Sequence, residues 1–173
     1  MHFVTFTVVH WIDFFIREEY REVMVDSIRY CQKEKGLQLY GYCIMTSHVH
    51  LLLTSDGKAS PDKILRDLKS FTSQSFHKML LDGNNNYESR KAWLLWIMER
   101  SGDKKGGTRQ YRFWQDGHHT VGIWSDKVFY EKLEYVHMNP VVSGFVSKPE
   151  DWLYSSARNY AQLPSVLDIH FDR

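Results

Sequence analysis

Two runs rich in β-branched, aromatic and aliphatic residues, LQLYGYCIM at 37–45 and HVHLLLT at 48–54, are separated only by Thr46 and Ser47. So short a connection joins antiparallel neighbours, because parallel strands need a crossover of a dozen residues or more. The sheet of this chain is therefore at least partly antiparallel. FVTFTVV at 3–9, with threonines between apolar residues, predicts another strand. From Arg17 to Lys35, Tyr20, Met24, Ile28 and Cys31 recur at helical spacing, with acids early and lysines late as the helix dipole favours. Ser60-Pro61-Asp62 opens a second helix that runs to about Leu81 and buries Ile64, Leu68, Phe71 and Phe76.

The second half is less regular. Asp82-Gly83-Asn84-Asn85-Asn86 is a loop by composition, and Ser101 to Thr108, glycine-rich and charged, reads as a mobile one. AWLLWIMER at 92–100 is too short and uniformly apolar for periodicity to decide, and the element order suits a strand there. A last helix starts at an Asp126 cap and ends near Asn139, because Pro140 follows. Short helical or turn segments complete the tail. The order strand, helix, two hairpin strands, helix, strand, helix predicts an α+β fold, with a ferredoxin-like antiparallel β-sheet and packed α-helices as the architecture, in one domain over 1–173.

Composition excludes several classes. At 43% hydrophobic and 15% aromatic residues the chain can build a core, which excludes disorder. No apolar run approaches the roughly 20 residues that span a bilayer, so no membrane partner is expected. The N-terminus lacks a secretory pattern, and Cys31 and Cys43 form no disulfide framework; a reducing cytoplasm is the simplest location. A net charge of +1 excludes a tail-driven nucleic-acid binder, but the charge is uneven. Residues 63–78 and 99–112 each carry +3, and such local patches attract phosphates.

The chemistry-bearing residues are few. His48 and His50 lie two apart in a strand, so both imidazoles leave one face and can share a divalent ion. Taken alone, the pair is as well explained by one packed and one solvated histidine. The adjacent His118 and His119 would point oppositely and read as structural or surface. Tyr135 and Asn139 lie four apart near the end of the last helix, hence on one face, near Val128, Glu131 and Lys132. A tyrosine oxygen can attack phosphorus and hold the covalent link, and an amide oxygen one turn away can supply a further metal ligand. Singly, each is better explained by packing or by a helix end. Tyr111, Phe113 and Trp114 beside Arg109 and Arg112 could stack unpaired bases, although core packing is the stronger reading for Phe113 and Trp114. Trp93, Trp96, Trp124 and Trp152 read as core.

In combination these residues change the odds. SHVHLLL at 47–53, FWQDG at 113–117, YVHMNPVVSGFV at 135–146 and PEDWLYSSARNY at 149–160 resemble the single-tyrosine HUH (His-hydrophobic-His) transposases, most closely the REP-associated tyrosine transposase branch. The resemblance implies a metal-dependent DNA transposase, a single-strand endonuclease and strand transferase acting on single-stranded or hairpin DNA. It implies Tyr135 as the catalytic nucleophile, forming a 5′-phosphotyrosine intermediate. It implies His48, His50 and Asn139 as ligands to Mg²⁺ or Mn²⁺, in a monomer or a homodimer. His137, on a different helix face, is assigned no catalytic role. Weaker DNA-contact candidates are Arg66, Lys69, Lys104, Lys105, Arg109, Arg112 and Trp114. Two other readings compete: a domesticated, non-cleaving DNA-hairpin-binding protein, and a metal-dependent hydrolase of small phosphoesters, which leaves Tyr135 unexplained.

Overall fold

The computed structural model describes residues 1–83, 87–102, 110–117 and 119–171. Four strands, β1 (His2–Thr7), β2 (Leu37–Ile44), β3 (His48–Ser55) and β4 (His119–Gly122), form one sheet in the order β2-β3-β1-β4. Every pairing is antiparallel. Helices α1 (Glu18–Lys35) and α2 (Pro61–Leu81) follow β1 and β3, giving the ferredoxin-like order expected. To these are added α3 (Lys91–Arg100), α4 (Asp126–Val142) and the short α5 (Ala157–Tyr160). No helix among the described residues is long and apolar enough to cross a membrane.

Alternation along the strands divides the core in two. Val4 and Phe6 of β1 and Val49, Leu51 and Leu53 of β3 face α1 and α2, packing with Tyr20, Met24, Ile28, Ile64, Leu68 and Phe76. Phe3 and Leu52 point the other way, under Phe129, Leu133 and Val136 of α4. Gly41 lets α4 settle onto that second face. A Cβ there would stand 2.9 Å from side-chain carbons of both Leu133 and Leu52, and β2 shifts register between Leu39 and Gly41. Both cysteines are free and buried.

Several expectations need correction. Residues 92–100 are helical, within α3, and the fourth strand comes from 119–122 instead. A ten-residue helix packs along one narrow stripe, here Leu94 and Met98, so Trp93 and Trp96 face outward, and the Arg100 guanidinium lies 4.6 Å over the Trp96 ring. Trp124 is exposed too, at 78%, so three of the four tryptophans read as core are not; Trp152 is half-buried, its indole donating to the Ile44 carbonyl at 3.1 Å. Phe71 is 60% exposed because the buried stripe of α2 runs through Leu68, Thr72 and Phe76 and passes it by. The cap of α4 is Ser125, accepting from the Val128 amide, one residue before the expected Asp126. α4 also continues through Pro140 to Val142. A proline in the last turn deprives only one earlier carbonyl of its donor, and the Pro140 ring is buried. Of the two loops expected at 82–86 and 101–108, residues 84–86 and 103–108 lie outside the described residues.

One buried polar pair joins α2 to the segment leading into β4. The Thr72 hydroxyl donates to the Leu68 carbonyl at 2.7 Å and accepts the Trp114 indole N–H at 3.0 Å. Thr72→Val keeps the shape but leaves that N–H without its partner in the core. The expected cost is about 1–3 kcal/mol, read as a lower urea midpoint at unchanged slope. An unchanged midpoint would show the bond to be dispensable.

Candidate functional site

The site begins with strand register. Pairing of β1 with β3 sets Thr5 opposite His50 and Thr7 opposite His48, on the face that α4 covers. The His50 and His48 rings lie 4.7 Å apart between centroids. His50 is 2% exposed, stacked on Phe3 at 5.5 Å, and its Nδ1 is hydrogen-bonded to the Thr5 hydroxyl at 2.9 Å. His48 is half-buried, its Nδ1 bonded to the Ser47 hydroxyl at 3.1 Å and its ring edge-on to Trp11. With each Nδ1 occupied, both Nε2 atoms turn toward α4.

They meet Asn139. His48 Nε2 lies 3.3 Å from its Oδ1, and its Nδ2 donates to His50 Nε2 at 3.2 Å. One amide thus bridges both imidazoles. One turn earlier, Tyr135 packs edge-on against His50 at 5.2 Å and Phe3 at 5.9 Å, with 51% of its surface exposed. The Lys132 ammonium lies 5.2 Å from the Phe3 ring and 5.9 Å from the Tyr135 ring. Phe3, Thr7, Gln115, Asp116, Gly117 and Ser143 complete the lining of a cleft of about 830 Å³.

Burial disfavours the charged form of both histidines. It lowers His50 to about 3, helped by the neighbouring His48. His48 is lowered as well, against the opposing pull of the Asn139 hydrogen bond and of Asp13. Both are therefore neutral at neutral pH, the form in which an imidazole offers a lone pair. Two imidazole nitrogens and one amide oxygen converge, and among the described residues no group of three His, Cys, Asp or Glu side chains gathers anywhere. This neutral donor set is of a kind that can ligate a divalent cation, and its three groups would themselves leave the ion's charge available to an anionic ligand.

Of the residues singled out in the sequence, His48, His50, Tyr135 and Asn139 come together, all from one chain. His137 does turn away, bonding the Ser156 hydroxyl at 2.8 Å. Trp114 is a correction: it is buried against Phe6 and Phe15 and offers no free face to a base. Phe113 is buried beside it, and Tyr111 is stacked on His77 at 3.7 Å. Lys69 is also spoken for, because its ammonium donates to the carbonyls of Gln115 and Gly117 and so holds the FWQDG loop at the cleft. Arg112 pairs with Asp116 at 2.6 Å, whereas Arg66 is exposed on α2. Lys104, Lys105, Arg109 and His118 lie outside the described residues. The residues not anticipated are Phe3, Thr5, Ser47, Trp11 and Gln115. Alternation marks Phe3 and Thr5 as sharing one face, but only the register puts that face beside the histidines.

Comparison with known proteins identifies the family and the fold. Residues 1–96 match the family model described as "Transposase IS200 like". A Haemophilus influenzae protein described as a REP-associated tyrosine transposase is 27% identical over 124 residues, covering 66% of this chain. The match spans only 55% of that relative's length. The fold is shared with the solved structure of a REP-associated tyrosine transposase bound to a REP hairpin, at a TM-score of 0.65 and 16% identity, over 99% of this chain and 87% of the other.

The depressed His50 gives a pH signature. Between the ordinary histidine value near 6.5 and the folded value of about 3, the unfolded chain binds a proton that the folded chain does not. Stability present above pH 6.5 is therefore lost as pH falls through that window. In metal-free protein at pH 5 the His50 ring should give the NMR shifts of neutral imidazole; imidazolium shifts there would contradict its burial.

Proposed function

The chain belongs to the IS200-like transposase family, and from that premise we propose that it cuts and rejoins single-stranded, hairpin-bearing DNA with Tyr135 as nucleophile. The observation that carries this reading is the convergence of His48, His50 and Asn139 within 3.3 Å, with Tyr135 one helical turn away against His50. The phenol oxygen attacks a backbone phosphorus, the bond to the 3′ oxygen breaks, and a 5′-phosphotyrosine and a free 3′-OH result. Attack by a DNA 3′-OH on that phosphotyrosine releases Tyr135 and rejoins the strand.

His48, His50 and Asn139 would hold Mg²⁺ or Mn²⁺, which when bound neutralises charge developing on the phosphate oxygens. The protein's part is positional. Thr5 and Ser47 orient the two imidazoles through their Nδ1 atoms, and α4 carries Tyr135 and Asn139 on one face. Half-exposure leaves the phenol open to a macromolecular substrate, and the Lys132 ammonium beside its ring offers positive charge to an incoming phosphate. Exposed Arg66 is a candidate for backbone contact, as are Lys104, Lys105 and Arg109 in the basic segment.

The test is covalent capture. The protein is mixed with Mn²⁺ and single-stranded oligonucleotides drawn from the flanks of its own coding sequence, and adducts are resolved on denaturing gels and mapped by mass spectrometry. An adduct on Tyr135, lost with chelator, is expected. Tyr135→Phe should abolish it with DNA affinity within about twofold, and His48→Ala, His50→Ala or Asn139→Ala should each weaken Mn²⁺ binding by roughly 10-fold or more. Adducts that survive Tyr135→Phe would overturn the nucleophile. Hairpin binding by the wild-type protein with no adduct would instead favour a non-cleaving binder.

A further inference from the structure

Where the chain leaves β1 it makes a single 3₁₀ turn, Val9–Trp11, at the rim of the cleft. His10 and Trp11 both have φ of 57°, the left-handed region that residues other than glycine rarely enter, least of all bulky ones. Neighbouring bonds hold them there. The Val8 amide donates to the Ser47 carbonyl at 2.9 Å, the Val9 amide to the Phe113 carbonyl at 2.8 Å, and the Trp11 amide to the Val8 carbonyl at 3.0 Å. His10 is bonded to the Ser101 hydroxyl at 3.0 Å, and Val9 and Ile12 are buried on either side.

The consequence is an indole carried at a fixed point of the main chain with most of its surface in water. Trp11 is 59% exposed, and its ring meets the edge of His48 at 5.4 Å. Its free surface borders the same cleft as Lys132, Tyr135 and Asn139. A large aromatic face exposed at the rim, against His48 and beside the proposed phosphate site, suits a flat unpaired nucleobase.

We propose that Trp11 is a stacking platform for an unpaired base adjoining the phosphate that His48, His50 and Asn139 engage. This rests on the DNA-cleaving reading above and adds the surface that places the strand. Stacking tolerates any base, because every base has a π-face. Trp11 therefore contributes grip and alignment and leaves sequence choice to other contacts. The turn matters because it fixes the main chain that carries the indole, so less freedom is lost when the base arrives.

The test uses the full chain and a randomised single-stranded DNA pool in which 5-iodouracil replaces thymine, in chelator so that no strand is cut. Irradiation, digestion and mass spectrometry locate the cross-links, and affinities of the enriched oligonucleotides are measured for wild type, Trp11→Ala and Trp11→Phe. The expected result is a cross-link on the peptide carrying Trp11, an affinity loss of roughly 5- to 150-fold for Trp11→Ala, and retention of most of the affinity by Trp11→Phe. Thermal unfolding at an unchanged midpoint shows the loss to be local. If the pool binds, cross-links map elsewhere and Trp11→Ala binds within about twofold of wild type, the platform is wrong while the DNA reading stands. If wild-type protein captures no single-stranded DNA, the DNA reading itself fails and the platform with it.

Discussion

The antiparallel register between β1 and β3 is the constraint on which the site depends. It sets Thr5 opposite His50 and Thr7 opposite His48, so that a polar column runs down an otherwise apolar sheet face. A slip of one residue would turn both imidazoles into the cluster formed by α1 and α2, where neither the Thr5 hydroxyl nor Asn139 could reach them. Val49, Leu51 and Leu53, now among the best buried residues in the chain, would turn out at the same time. The hydrophobic core therefore enforces the geometry of the histidines, and a change in one entails a change in the other.

The second requirement is that α4 lie close to that face. Leu133 and Val136 anchor it on the apolar side, Gly41 removes the side chain that would hold it off, and Tyr135 and Asn139 follow from helical spacing. The cost of burying polar groups is met locally. Each imidazole has a partner on both ring nitrogens, and burial keeps them neutral. A neutral, pre-oriented donor set beside a half-exposed phenol suits the proposed phosphoryl transfer to Tyr135, because little would have to reorganise on substrate binding. The FWQDG loop at one end of the cleft is held both by Lys69, which grips two of its carbonyls, and by main-chain bonds to Thr7 and Val9. A basic residue that looks like a DNA contact is in this way part of the scaffold.

Where sequence reasoning failed, the cause was tertiary. Trp114 has the composition of a stacking residue, but Thr72 satisfies its indole in the core. Trp93, Trp96 and Phe71 look like core residues and are not, because α2 and α3 each present a single narrow stripe to the rest of the molecule. The strand read into 92–100 could not be separated from a helix by an apolar run that short. Its buried pair, Leu94 and Met98, lies four apart at helical spacing.

The sequence by itself determined the hairpin, the two long helices, the shared face of His48 and His50 and the shared face of Tyr135 and Asn139. These are short-range consequences of strand alternation, helical period and a two-residue connection, and they hold in any fold that keeps those elements. Only the tertiary structure decided that the two faces meet, that one amide reaches both imidazoles, and which basic and aromatic residues remain free at the cleft. Those outcomes depend on strand register and on how closely α4 packs, which arise from contacts between residues some ninety positions apart. No local pattern encodes them.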